Sequence, residues 1–195
     1  MVDDIENESE EELRQRGLEN FILLVLGMVD NKISLLHLEK EVFLLWNFHP
    51  QIKQYLTFIK HFRGPFSKEI QESILNPFYL DDYWMYIPPK KGDNLSGGYI
   101  ELTNLGKKEY KRLVNKIRED DDLLHLLAGI KTVRELYDKL TKEELLLLIY
   151  DTFPVYIEKS KVYKDIESKK AKLAESLLNK GFIDLERYNS LLSGS

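Results

Sequence analysis

The chain has no cysteine, and this absence excludes several kinds of chemistry at once. Disulfides, thiolate metal ligands and a nucleophilic thiol all require that side chain. A protein without disulfides suits a reducing compartment, so we expect a cytoplasmic protein. We also expect no targeting signal, because the initial segment MVDDIENESEEE is acidic where a presequence would be basic.

Long apolar runs are also missing. The longest are FILLVLGMV at 21–29 and LLLLIY at 145–150, well short of the roughly 20 residues that cross a bilayer. We therefore expect core segments and no membrane partner. The second run suits either a buried helix or a seam between two copies. We favour burial together with some self-association, which keeps a homodimer among the expected partners.

Charge is moderate and unevenly distributed. The net charge is −5, yet residues 1–30 hold nine acids against two arginines, whereas residues 60–118 hold eleven cations against seven acids. This basic excess is smaller than that of dedicated nucleic-acid binders, so the electrostatics permit contact with DNA without requiring it.

Helical periodicity and turn residues divide the first half of the chain. We predict a disordered acidic arm over residues 1–11, a buried helix from Glu12, and a second helix that Ser34 caps. Aromatic residues over 46–62 favour a further helix. In GPFSKEIQ, Pro65 is placed as the first residue of a short helix, which ends at Asn76-Pro77.

The second half of the chain begins with a hairpin pattern. Residues 83–87 and 99–103 are rich in aromatic and β-branched side chains, and the turn-forming segment between them predicts a β-hairpin with a long, flexible tip. Thr103 then caps a helix. After residues 118–122 the pattern is helical, with a capping box at Thr141 and Glu144, a longer helix through Leu177, and a final helix after Asp184.

This order of elements predicts a mainly α fold: a winged helix-turn-helix with a two-stranded β-hairpin wing, followed by an α-helical C-terminal region. We place the winged-helix domain at residues 12–118 and the helical region at 119–195.

Three blocks of sequence carry a resemblance. LLHLEKEVFLLW, GPFSKEI and GGYIELTNLGKKEYKRL resemble uncharacterised prokaryotic, especially archaeal, winged-helix proteins, and more distantly Panacea-type antitoxin domains. The resemblance covers about residues 18–118, and ELLLLIYDTFPVYIEKS resembles a segment that follows the winged helix in archaeal members. The matching positions are Leu38, Lys40, Gly64, Pro65, Phe66, Tyr99, Leu102, Thr103 and Gly106. It implies a fold more strongly than an activity.

The short helix and the hairpin tip supply a candidate DNA-binding surface. Polar side chains on a helix that enters a groove can read bases, and flanking cations can bind phosphates. The candidate residues are Arg63, Ser67, Lys68, Gln71, Lys90, Lys91, Lys107, Lys108, Lys111 and Arg112. Glu69 and Glu72 on the same short helix favour the alternative of a solvated face, because they repel phosphate.

Other candidate sites are weaker. Aromatic residues such as Trp84 and Tyr86 could stack on bases, but such residues are more often core. His37 and Glu41 have a spacing that can share a metal ion, with no second pair nearby. Arg118 and His125 have a spacing that helical ribonucleases use, with aspartates between them. We therefore predict no catalytic residues, no metal and no cofactor, and expect that the protein is not an enzyme.

Two functions fit these features. The first is a DNA-binding transcriptional regulator whose partner is double-stranded DNA. The alternative is a protein-interaction module, antitoxin-like or a scaffold, that uses the same fold without binding DNA. The acidic beginning of the chain and its low basicity favour the alternative.

Overall fold

The computed structural model of the protein describes residues 9–118 and 120–193, and this part is mainly helical, with 63% helix and 9% strand. Its α-helices are α1 (Glu10–Gly27), α2 (Leu35–Phe48), α3 (Lys68–Leu75), α4 (Asn104–Ile117), α5 (Asp121–Tyr137), α6 (Lys142–Thr152), α7 (Tyr163–Ser168), α8 (Lys170–Asn179) and α9 (Leu185–Ser193). Its strands are β1 (Ile33–Ser34), β2 (Ile59–His61), β3 (Gly64–Phe66), β4 (Trp84–Ile87) and β5 (Tyr99–Leu102). Short 3-10 helices occupy Pro50–Gln54 and Pro154–Ile157.

The helix starts follow side-chain capping. Ser34 and Thr103 accept hydrogen bonds from the first turns of α2 and α4, and Thr141 forms the predicted capping box with Glu144. Ser9 forms another capping box with Glu12, so α1 begins at Glu10 and the last residues of the predicted acidic arm are helical. The remainder of that arm, residues 1–8, lies outside the described residues.

The predicted helix over residues 46–62 is wrong. Pro50 ends α2, and residues 59–61 instead pair antiparallel with residues 64–66 in a tight hairpin. Gly64 has a φ of +85°, a left-handed conformation that glycine adopts without a steric penalty. The predicted helix start at Pro65 is also wrong, because Pro65 lies in β3 opposite Lys60.

A break also divides the predicted longer helix of the C-terminal region. Lys169 has a φ of −102° and a ψ of 2°, and separates α7 from α8. The side chains expected inside are nevertheless buried, including Ile166, Leu173 and Leu177.

The predicted hairpin is confirmed as β4 and β5, which pair antiparallel from Trp84 opposite Leu102 to Ile87 opposite Tyr99. A third strand, β1, joins the other edge of β5, so the strand order is β1-β5-β4. Sequence reasoning missed β1 because two residues carry no periodicity.

Two apolar clusters form the core, and α2 contributes to both. Leu38, Val42 and Leu45 pack in a cluster with α1, α3 and the sheet. Leu36, Phe43 and Leu44 pack in a second cluster with α6, α7 and α8. The run at 145–150 lies in that second cluster and is buried within the chain, as predicted, except for half-buried Leu148.

The C-terminal helices pack directly on the first part of the chain. Helix α5 contacts α1, α2 and α4, and α6 contacts α2. The domain boundary at residue 118 stays a prediction. No helix in the described ranges combines the length and apolar character that crossing a membrane requires.

Candidate functional site

The start of α3 is turned into the protein. Ser67 is fully buried and is the N-cap of α3: its hydroxyl accepts from the Ile70 N–H at 3.5 Å and donates to Glu69 at 2.9 Å. Its backbone N–H donates to buried Glu39 at 3.2 Å. Ser67 therefore does not face outward as the sequence predicted, because a side chain that caps a helix folds back on the first turn.

The outward face of α3 carries more acid than base. Lys68 is exposed but forms an ion pair with Glu72 at 2.9 Å, and Gln71 is half-buried. Glu69 accepts hydrogen bonds from the backbone N–H and the hydroxyl of Thr57 at 3.1 and 2.9 Å. Desolvation acts to raise the pKa of Glu69, but hydrogen bonds to its carboxylate hold the pKa below its ordinary value. Glu69 is therefore an anion at neutral pH.

A groove of about 230 Å³ runs between α1 and α3. Glu11, Glu69 and Glu72 line it, and Arg14 is the cation among its lining residues. This arrangement extends the acidic character of α3 onto the first turns of α1, whose first three residues are glutamates.

Arg63 also points inward. Its guanidinium donates to the Leu95 carbonyl at 2.9 Å and lies close to Gly97, so it ties the turn between β2 and β3 to the segment before β5. It was predicted to contact phosphate, but one of its donors is already used within the chain.

Lys40 and Glu39 join α2 to the strand that leads into α3. Both are buried, and the Lys40 ammonium donates to the Pro65 carbonyl at 2.8 Å. Burial lowers the pKa of Lys40 to about 8 and raises the pKa of Glu39 to about 7. Lys40 and Pro65 are two of the positions that carry the family resemblance, so the structure brings those two motifs into contact.

The hairpin between β4 and β5 is held along one limb by the start of α2 and by Lys142 of the C-terminal region. The Leu35 and Leu36 N–H groups donate to the Gly98 and Ser96 carbonyls at 3.0 and 2.9 Å, and Asp93 forms an ion pair with Lys142 at 3.3 Å. Desolvation raises the pKa of Asp93, yet the hydrogen bonds from Ser96 and the contact with Lys142 lower it well below its ordinary range. These contacts fix the limb of the tip that leads into β5.

The remaining candidate cations differ in how they are used. Lys107 forms an ion pair with Asp30 at 2.6 Å, and Arg112 binds Glu109 at 2.8 Å. Lys90, Lys91 and Lys108 are exposed, and none of these three has an ion-pair partner in the described part of the chain. Lys111 is exposed beside Asp30, in a groove that Lys107 and Glu101 also line.

The ten candidate residues therefore do not share one role. Two point inward, three are neutralised by a neighbouring acid, and the free cations lie on the hairpin tip and on α4. No family model and no curated protein matches this chain.

Among the weaker candidates, His37, Trp84 and Tyr86 have roles within the fold, whereas Arg118 and His125 are exposed. His37 contacts the Ser34 hydroxyl at 2.8 Å and the Leu140 carbonyl at 3.0 Å, and burial lowers its pKa. The Trp84 indole donates to the Ile74 carbonyl at 3.2 Å, and the Tyr86 hydroxyl donates to the Gly97 carbonyl at 2.9 Å. Within residues 9–118 and 120–193, no three metal-ligating side chains cluster.

Sequence reasoning missed a buried ion pair. Arg134 on α5 donates to Glu41 on α2 at 2.7 Å, and both side chains are fully buried. No sequence pattern predicts this pair, because the two residues are far apart in sequence and each lies on a helix with other charged residues.

Proposed function

We propose that the chain is a winged-helix protein that acts through protein contacts, as an antitoxin-like or scaffold module, and does not read DNA with α3. The order α2, α3, β4, β5 supports the winged helix. The observation that carries the function is the outward face of α3, the helix that a DNA-reading protein would insert into the major groove.

A groove-reading helix presents free donors to base edges and cations to phosphates. On α3 the lysine is paired with Glu72, the serine is buried as a cap, and the glutamates repel phosphate. Desolvating such a face against DNA would bury carboxylates beside phosphates, which costs free energy and gains no counterion release.

The same face suits a protein partner of complementary chemistry. Leu75, at the end of α3, and Phe78, just beyond it, are 42% and 71% exposed. Protein interfaces combine an apolar and aromatic centre with a polar rim. We infer a partner segment that carries lysine or arginine next to apolar side chains.

Site-specific photo-crosslinking in cells tests this proposal. A photoreactive amino acid at Glu72 should give a reproducible adduct with one protein, and the adduct should weaken when Phe78→Ser is added. The same amino acid at exposed Lys172 on α8 is the matched control and should not give this adduct. Equal adducts at both positions, or adducts with nucleic acid alone, would contradict the proposal.

DNA binding through the hairpin tip is the second candidate function. It is favoured by the free charges of Lys90, Lys91 and Lys108. Fluorescence anisotropy with labelled mixed-sequence duplex should show binding that weakens with salt. Lys90→Glu/Lys91→Glu should abolish binding, and Lys172→Glu should leave it unchanged. If the anisotropy does not change during the titration at low salt, DNA binding through the hairpin tip is refuted.

A further inference from the structure

Strand β4 is a free edge of the sheet. Within the described chain it pairs with β5 alone. Its sequence, WMYI, has no charge, and Met85 and Ile87 on its outer face are 52% and 38% exposed. Natural proteins usually protect such an edge with charged side chains, a bulge or a covering element. An uncharged edge with apolar side chains is a surface that another strand can extend.

The charges at the two ends of β4 have opposite signs. Asp81 and Asp82 come just before the strand, and Lys90 and Lys91 come just after it. All four are exposed, and none forms an ion pair with another described residue. The strand is therefore acidic at its beginning and basic at its end.

We propose that β4 pairs antiparallel with β4 of a second copy of this chain, which extends the three-stranded sheet to six strands in a two-fold symmetric dimer. Antiparallel pairing reverses one strand, so the acidic end of each copy lies beside the basic end of the other. The charge complementarity occurs twice, as a two-fold interface requires. A second copy of the chain is therefore sufficient to cover the free edge of β4.

The pleat selects the register of this pairing. Residues directly opposite each other must point to the same face of a continuous sheet. The register that does this and keeps the charged ends together places Tyr86 opposite Tyr86 of the second copy. Met85 of each copy then lies opposite Ile87 of the other copy. The two-fold axis therefore gives two apolar pairs, side by side on the outer face.

The dimer is expected to be weak. A four-residue strand makes an interface at the low end of the range for specific complexes. The interface lies on the edge of the hairpin and does not include α3, so it stands or falls independently of a partner on α3, but it shares Lys90 and Lys91 with the second candidate function.

Analytical ultracentrifugation of the full chain tests the pairing. The average mass should rise from 23.0 kDa toward twice that value as the concentration increases from about 10 µM to about 1 mM, a range that brackets weak association. Salt should weaken the association, because it screens the end charges. A constant monomer mass over the whole range would overturn the proposal.

A charge exchange separates this pairing from unspecific aggregation. Lys90→Glu/Lys91→Glu makes both ends acidic, and Asp81→Lys/Asp82→Asn makes both ends basic. Asn is chosen at position 82 because Asp82 has a φ of 67°, which asparagine tolerates. Each variant alone should associate at least about tenfold more weakly than the natural chain, whereas an equal mixture should form a one-to-one dimer.

Both variants should fold, because the changed side chains are exposed, and circular dichroism checks this. If each variant associates with itself as strongly as with the other, the ends of β4 do not meet and the proposal is refuted.

The absence of cysteine provides a test of the register. Met85→Cys and Ile87→Cys each introduce the single thiol of their chain, and these positions lie opposite each other in the proposed dimer. A disulfide should therefore form faster in a mixture of the two variants than in either alone. Equal rates in all three samples would refute the register.

Discussion

The buried pair between Glu41 and Arg134 gives the sharpest prediction on stability. Arg134→Met keeps most of the side-chain volume but leaves the Glu41 carboxylate without a cation in a fully buried position. Removing one partner of a buried pair costs about 3 to 5 kcal/mol, because the other charge is left uncompensated. Glu41→Met/Arg134→Met removes both charges, and its free energy of unfolding should return close to that of the natural chain.

The predicted loss depends on pH. Burial raises the pKa of Glu41 from its ordinary 4.5 to about 8 in the folded chain. A carboxyl whose pKa is higher in the folded chain than in the unfolded chain stabilises the folded chain when it is protonated. This stabilisation is fully present below pH 4.5 and is lost as the pH rises through about 8. Without Arg134 the pKa rises further, so the carboxyl stays protonated in the folded variant at mildly acidic pH. In the natural chain the carboxyl is itself mostly protonated below about pH 8, so the deficit of Arg134→Met should be small near pH 5 and reach its full value only near pH 10.

Urea unfolding at both pH values measures this deficit. Arg112→Met is the matched control, because Arg112 is an exposed arginine in an ion pair and its loss should change the midpoint little. The reasoning is refuted if Arg134→Met is as stable as the natural chain near pH 10, or if the double variant is as unstable there as the single one.

Three further predictions follow from other contacts. The Glu19 carboxylate accepts hydrogen bonds from the N–H groups of Phe78, Tyr79 and Leu80 at 2.8 Å. Glu19→Gln should therefore lower the free energy of unfolding by about 1.5 to 3 kcal/mol and speed hydrogen exchange at residues 78–80. Gly106→Ala should lower the melting temperature more than Gly17→Ala, since its new methyl would lie 2.0 Å from the Tyr83 carbonyl oxygen, whereas Gly17 faces a movable Tyr55 ring. Because burial raises the pKa of Glu39 to about 7, natural stability should fall as the pH rises from 4.5 toward 7, and Glu39→Gln should reduce that slope in urea titrations.

Local signals were sufficient for much of the fold. The caps at Ser34, Thr103 and Thr141 are read from three or four consecutive residues, and the hairpin of β4 and β5 from two strand-like runs and the turn-forming segment between them. Each depends on hydrogen bonds within a few residues of the signal, so the sequence pattern and the structure agree.

Failures occurred where distant contacts decide the conformation. Aromatic residues over 46–62 resemble a helix, but the left-handed Gly64 and the Lys40 contact with Pro65 fix a hairpin there. Ser67 was misplaced for another reason: because the helix start was predicted at Pro65, Ser67 was expected on the outer face of the helix, whereas it is the residue that caps the helix. The candidate site could be predicted only as a set of residue types, because neutralisation by Asp30, Glu72 or Glu109 is a property of the folded surface.

The position of α2 between the two apolar clusters has a consequence for communication through the molecule. One helix supplies side chains to both cores, so local opening of either half removes contacts from the other. A partner that binds on α3 and stabilises the first cluster should therefore also slow hydrogen exchange in α6 and α8. Binding of a partner at α3 would then be detected in α6 and α8 as slower hydrogen exchange, with no movement of the backbone.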